Sequence, residues 1–268
     1  MGLAVSQLVK EGTMARLGIG IDIGGSGIKG ALVDLDKGEF ASDRIRYETP
    51  SASTPEAVAA ICARIVDELD APDDIPVGVT MPAPIVHGRT PFIANLDQSW
   101  VDCDVDELFT DALGRDVVVF NDADAAGVAE SAFGAAKGVK GTVIVTTLGT
   151  GIGTALLYDE ILVPNTELGH LELDGHDAES MASARQRRKQ NLSWEEWAKR
   201  LTRYYSHLEM LFSPDLIVVG GGVSKRHEEF FPLLDLVAPI VPAELRNTAG
   251  IVGAAYYADQ VRRKHLEV

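Results

Sequence analysis

The feature that most constrains this chain is a near repeat. Residues 18–36 read GIGIDIGGSGIKGALVDLD, and residues 142–160 read TVIVTTLGTGIGTALLYDE. Each is an apolar strand, a Gly/Ser/Thr turn, and a second strand ending in an acidic residue. One copy in each half of a 268-residue chain, with no low-complexity linker between them, implies a duplicated α/β architecture. Further strands are expected at 75–82, 116–120 and 215–219. Helices are expected at 54–69, with Thr54 as N-cap and Pro55 in first position, and at 193–212, 225–235 and the C-terminus. The apolar face of 193–212 reads as core, with a dimer surface as the alternative, so a homodimer stays open.

The first repeat contains Gly25, Gly27 and Gly30 at the spacing G-x-G-x-x-G. A dinucleotide-binding turn needs a helix straight after these glycines, because the pyrophosphate rests on that helix's N-terminus. Here the strand ALVDLD follows, so the spacing matches and the context does not. A P-loop pattern is absent. A glycine-rich hairpin can still hold phosphate, since its backbone N–H groups can converge on an anion. The alternative is a plain tight turn. Two related copies, with Asp22 before the first, favour phosphate.

Composition excludes other classes. The net charge is −16, which argues against a nucleic-acid binder. No apolar run is long enough to span a membrane, and residues 1–13 read as a loose leader without a signal peptide's apolar stretch. Cys62 and Cys103 are far apart and read as reduced thiols of a cytoplasmic protein. The densest basic run is ARQRRKQ at 184–190, with Arg185, Arg187, Arg188 and Lys189. Asp122 follows VVVFN at the carboxyl end of a strand, where open α/β sheets place ligands and where a carboxylate can accept a hydroxyl proton. The alternative is that Asp122 or Asp124 caps the next helix, and Asp124 suits that role well.

IDIGGSGIKG, VVVFNDADAAGVAE, TTLGTGIG, ELGH and IVVGGGVS occur in this order along almost the whole chain. Together they resemble the sugar kinases of the ROK family, within the actin/hexokinase-like (ribonuclease H-like) superfamily. GGSGIKG and ELGHLELDGHDAES resemble its polyphosphate-dependent branch, which includes polyphosphate/ATP glucomannokinases. The resemblance implies a duplicated two-domain fold with an interdomain cleft, divided here as 14–122 plus 250–268 and 123–249. It implies transfer of a phosphoryl group to the 6-hydroxyl of glucose, and of mannose, from polyphosphate, ATP or both.

The same resemblance implies the site. Asp122 is the base, and Asn95, Asn121, Glu167, His170 and Glu179 contact the sugar. Asp22 holds Mg²⁺ through water. Gly24, Gly25, Ser26, Gly27, Lys29, Thr147, Gly149, Thr150 and Gly151 take the donor phosphates, and Gly220, Gly221 and Gly222 lie beside a nucleotide. Many ROK kinases carry a cysteine-rich zinc knuckle after this histidine. This chain has no cysteine after Cys103, and His170 and His176 alone cannot build such a site, so no zinc is expected. The loop with Glu179 must then be ordered another way. The basic run at 184–190 is either a solvated face or the exit path of a polyphosphate. Competing readings are an ATP-only hexose kinase, a ROK-type repressor and an actin-like ATPase. The expected partners are a hexose and its phosphoryl donor, with no nucleic acid and no membrane.

Overall fold

The computed structural model describes residues 16–93 and 96–266. The expected leader and Asn95 lie outside the described residues. The chain divides into two units, Met1–Ala125 with Gly250–Val268, and Ala126–Ala249.

In the first unit, β1 (Leu17–Gly24) and β2 (Gly27–Asp34) form an antiparallel hairpin across Gly25 and Ser26. β3 (Glu39–Phe40) and β4 (Ile45–Tyr47) pair antiparallel with β2. β5 (Val77–Met81) lies parallel to β1, and β6 (Val117–Asn121) parallel to β5. The main path is β3-β2-β1-β5-β6.

The alternation of side chains along a strand gives this sheet two different faces. Ile19, Ile21, Val77 and Val79 join the core made with α1 (Pro55–Leu69) and α2 (Val105–Leu113). Helix α1 starts as its residues dictate: the Thr54 side chain accepts from Ala57 N, with Pro55 in the first turn. Gly20 and Gly78 fall on the opposite face, against the C-terminal helix. A Cβ on Gly78 would stand 2.0 Å from the backbone oxygen of Ala254, so only glycine lets that helix approach so closely. Helix α3 (Asp122–Phe133) begins directly after β6, and the division between units falls inside it.

In the second unit, β7 (Thr142–Leu148), β8 (Ile152–Tyr158) and β9 (Ile161–Val163) form an antiparallel meander. A small hairpin, β10 (Glu172–Leu173) and β11 (His176–Asp177), follows. β12 (Leu216–Gly220) lies parallel to β7, and β13 (Ile240–Pro242) parallel to β12. The order β9-β8-β7-β12-β13 repeats that of the first unit: three antiparallel strands, then two parallel ones. The duplication visible in the glycine hairpins therefore extends to the topology of both sheets.

Helices α4 (Ala178–Ala182), α5 (Ala184–Lys189) and α6 (Trp194–Phe212) follow the small hairpin. Ser193 and Glu196 form a reciprocal capping box at the start of α6. Trp197, Leu201, Tyr204, Tyr205 and Leu208 are buried against Ile144, Ile217, Val219 and Phe230, so this face is core. Each such side chain is worth about 1.5–3 kcal/mol on burial. Leu211, which shares their periodicity, is exposed.

The helix expected at 225–235 is not present as one element. Two 3₁₀ stretches, Gly222–Glu229 and Phe231–Leu233, replace it, and Arg226 breaks the first with φ −114° and ψ 27°. Pro232 lacks the N–H a helix interior needs. Fully buried Phe230, packed on Trp194 and Trp197, fixes the chain between the two pieces. The chain closes with α7 (Ala249–Leu266), which belongs to the first unit. Among the described residues no helix is long and apolar enough to cross a membrane.

Candidate active site

Sheet register builds a candidate site in the first unit. Thr80, Asp22, Lys29 and Arg46 are consecutive cross-strand partners over β5, β1, β2 and β4. Cross-strand neighbours share a face, so these four side chains form one row. Asp22 takes a hydrogen bond from Lys29 Nζ at 3.2 Å and one from Thr80 Oγ1 at 3.3 Å. Arg46 Nη2 donates to Ser26 O at 3.4 Å, which puts a guanidinium beside the turn of the first hairpin. The Thr49 hydroxyl donates to Gly24 O at the same turn. Gly250, near the start of α7, lies against the Asp22 carboxylate. The turn thus offers exposed Gly25 and Ser26 between two cations and one carboxylate. Arg46 and Thr80 are invisible to motif reading, because only strand pairing brings them to Asp22 and Lys29.

Asn121 ends β6 and Asp122 opens α3. The N-cap role, the alternative reading for Asp122 or Asp124, falls to Asn121, whose Oδ1 accepts from Ala123 N at 2.8 Å and Asp124 N at 3.1 Å. The strand ends one residue before Asp122, so the side chain that reaches back over the first free N–H groups is Asn121. Its carbonyl oxygen is committed to the cap, and its amide NH₂ is the group left to meet a ligand. Asp122 is half-buried in the first turn, and Asp124 is buried.

A candidate site in the second unit centres on Ile152, the first residue after the hairpin turn. Ile152 N donates to Glu179 Oε2 at 2.8 Å. On the carbonyl side, a Cβ on Gly169 would stand 2.0 Å from Ile152 O, so the glycine of ELGH lets that segment lie flat on β8. Thr154 holds it there, accepting from Leu168 N at 3.0 Å and donating to Thr166 O at 2.6 Å. Glu167 and His170 thereby flank a fixed glycine next to the turn, with Glu179 bonded to the same strand.

His170 has a partner the motifs did not reveal. Its Nδ1 lies 2.7 Å from Asp177 Oδ2, while Asp177 Oδ1 accepts from Ser180 N and caps α4. A carboxylate only accepts, so Nδ1 carries the proton and Nε2 is left for a ligand. That bond raises the His170 pKa above the ordinary value, more than burial lowers it. The Glu167 pKa is also raised, first by burial and then by the charge of Glu179, with His170 opposing. The loop is ordered by the Asp174–Gly175 turn, both residues with positive φ, and by the Asp177 cap, where a cysteine cluster could have served. Among the described residues no group of three or more His, Cys, Asp or Glu side chains could hold a metal.

The turn itself is Gly149–Thr150–Gly151, closed by Gly149 N donating to Gly151 O at 2.9 Å. A Cβ on Gly149 would meet nothing within 4 Å, so the fold leaves that side of the turn open. Thr147 pairs with Gly220 across β7 and β12, and Gly221, at φ +79°, packs on the Leu148 backbone. The Gly220–Gly222 loop and the Gly149–Gly151 turn are therefore adjoining parts of one surface.

Comparison with known proteins agrees with this geometry. The model of the ROK family matches residues 18–186. The polyphosphate glucokinase of Mycobacterium tuberculosis is 45% identical over 244 residues, 91% of each chain. The crystal structure of the inorganic polyphosphate/ATP-glucomannokinase from Arthrobacter sp. strain KM aligns with TM-score 0.86 at 56% identity, over 92% of this chain and 99% of that one. A glucokinase from Streptomyces griseus, solved with glucose and AMPPNP, aligns with TM-score 0.77 at 25% identity, over 91% and 99%.

Proposed function

The chain belongs to the ROK family and has its duplicated actin/hexokinase-like fold, and from that premise we propose that it phosphorylates glucose at the 6-hydroxyl, using polyphosphate or ATP. Mannose is proposed as a second acceptor. The observation that carries the reading is the 56% identity to a polyphosphate/ATP-glucomannokinase over 92% of the chain.

In the proposed reaction the Asp122 carboxylate accepts the proton of the sugar hydroxyl. The hydroxyl oxygen forms its bond to the donor's terminal phosphorus, and the bridging P–O bond breaks. The electron pair leaves on the shortened polyphosphate or on ADP. Asn121 donates from its amide, and its cap holds Asp122 at the start of α3. Glu167, Glu179 and His170 Nε2 take sugar hydroxyls, and the carboxylates suit paired hydrogen bonds to vicinal diols. The turns at Gly24–Gly27 and Thr147–Gly151 hold donor phosphates, with Lys29 and Arg46 balancing charge. Gly220–Gly222 lie beside the nucleotide when ATP is the donor. Asn95 is a further proposed sugar ligand.

Asp22 suits Mg²⁺: it is one hard, partly exposed carboxylate, and Mg²⁺ keeps most of its waters and takes one or two carboxylates plus phosphate oxygens. Bound there, the ion would neutralise charge on the transferring phosphoryl group. Zinc is not part of the proposal. A cytoplasmic setting fits ATP use and the free thiols Cys62 and Cys103.

The test is initial rates of hexose 6-phosphate formation with Mg²⁺, crossing glucose and mannose with ATP and long-chain polyphosphate. Turnover with polyphosphate supports the reading. Turnover with ATP alone makes the protein an ATP-only hexose kinase.

A further inference from the structure

A cationic surface leaves the second unit's phosphate turn, and phosphoryl transfer itself does not use it. Between Glu179 and Glu195 the sequence has no acidic residue and carries Arg185, Arg187, Arg188 and Lys189, in a protein of net charge −16. The structure ties this run to the turn at both ends. Arg185 N donates to Gly149 O at 2.9 Å, and Glu179, just upstream, holds Ile152 N. The basic run therefore starts at the turn proposed to hold the donor's phosphates.

The four cations are not equivalent. Arg187 is half-buried, with its guanidinium 3.4 Å from the Trp194 ring centroid, and Trp194 stacks on Phe230. It closes the core and is not available to a ligand. Arg185, Arg188 and Lys189 are exposed and share one face of α5, at positions i, i+3 and i+4. Among the described residues none of the three forms an ion pair. Arg226 lies 4.7 Å from the same Trp194 ring, which brings its exposed guanidinium close to that of Arg187 in the run, although Arg226 is paired with Glu229. The patch thus joins two chain segments, within a few residues of Gly149 on one side and Gly221–Gly222 on the other.

An acidic protein repels polyanions at long range, so a row of uncompensated cations next to a phosphate turn marks where one is admitted. A nucleoside triphosphate ends at its base and needs no such row. A linear polyphosphate continues beyond the turn, with negative charge along its length.

We propose that Arg185, Arg188 and Lys189 form the track for the part of a polyphosphate that is not being transferred. The proposal rests on polyphosphate being a donor. It predicts that the donor's KM depends on chain length through these residues, while kcat does not.

The experiment compares the full-length protein with its Arg185→Gln/Arg188→Gln/Lys189→Gln variant, using ATP, tripolyphosphate and long-chain polyphosphate. The expected result is a KM for long-chain polyphosphate raised about tenfold or more, with a weaker salt dependence, as for any lost set of phosphate contacts. Constants for ATP and tripolyphosphate should hold within about twofold, since screened surface charges act only over a Debye length. The idea is overturned if the long-chain KM does not move, or if all three donors weaken alike, because the run would then only support the turn. It is overturned as a polyphosphate track if a single-stranded oligonucleotide of equal charge competes as well as polyphosphate. A wild-type protein that uses ATP but no polyphosphate overturns the donor reading itself. A wild-type protein that uses polyphosphate, with an unaffected variant, overturns the track alone.

Discussion

Asp177 holds His170 through one carboxylate oxygen, 2.7 Å from Nδ1, and caps helix α4 through the other. One side chain thus fixes both the tautomer of the histidine and the start of the helix that carries Glu179. Replacing Asp177 by Asn keeps a competent cap but removes the charge. The His170 pKa should then fall, because its hydrogen bond to Asp177 is the main cause raising it. Following the His170 ring resonances by NMR across pH measures this directly. A hydrogen bond to a charged group is worth about 1.5–3 kcal/mol, so kcat/KM for glucose should drop about 10- to 100-fold. An unchanged titration would show that Asp177 does not govern the ring.

The pH profile carries a second expectation. Burial and the charge of Glu179 raise the Glu167 pKa, so Glu167 takes up a proton at higher pH than an ordinary glutamate. In the proposed site it accepts sugar hydroxyls as a carboxylate, so kcat/KM for glucose should begin to fall, as pH drops, above the usual glutamate range. In Glu179→Gln the like charge is gone, and the acid limb should move to lower pH. The position of the limb, not its height, is the readout, because Glu179 also braces Ile152. A limb that stays in place or moves upward contradicts the assignment.

Asp122 is tested by separating chemistry from binding. Loss of a general base lowers turnover about 10²- to 10⁴-fold. Asp122→Ala should lose kcat on that scale, while calorimetry still detects glucose binding through the second unit's Glu167, His170 and Glu179. Turnover near the wild-type level would remove Asp122 from the role.

The packing of α7 gives a stability test. Gly78→Ala would drive a methyl group into Ala254 O, which is backbone and cannot turn aside. Overpacking of this kind costs about 1–3 kcal/mol, and chemical denaturation should show the lower midpoint. A midpoint equal to wild type would mean that α7 does not sit on β5 as closely as described.

What the sequence revealed and concealed follows from how local each signal is. Helix α1 was legible to the residue because Thr54 and Pro55 declare its start within one turn. Both hairpins were legible because their turns lie between their strands. Asn121 was named as a ligand but not as a cap, since that depends on the last residue of β6. Asp177 was missed because its contact with His170 requires the chain to fold back, although the Asp174–Gly175 pair is a hairpin signal that pointed to it. Arg46 reaches Ser26 only through the pairing of β4 with β2, which no short motif encodes. Segment 225–235 reads as a helix after the strand and glycine turn, and Pro232 is the contrary signal. In the basic run, spacing could not show that Arg187 turns onto Trp194.

The most direct measurement is ³¹P NMR of the purified protein with Mg²⁺, glucose and long-chain polyphosphate, free of any nucleotide. The expected result is growth of a glucose 6-phosphate monoester resonance, with little free orthophosphate. Orthophosphate alone, or no reaction while ATP supports sugar phosphorylation, would contradict the assignment of polyphosphate as donor.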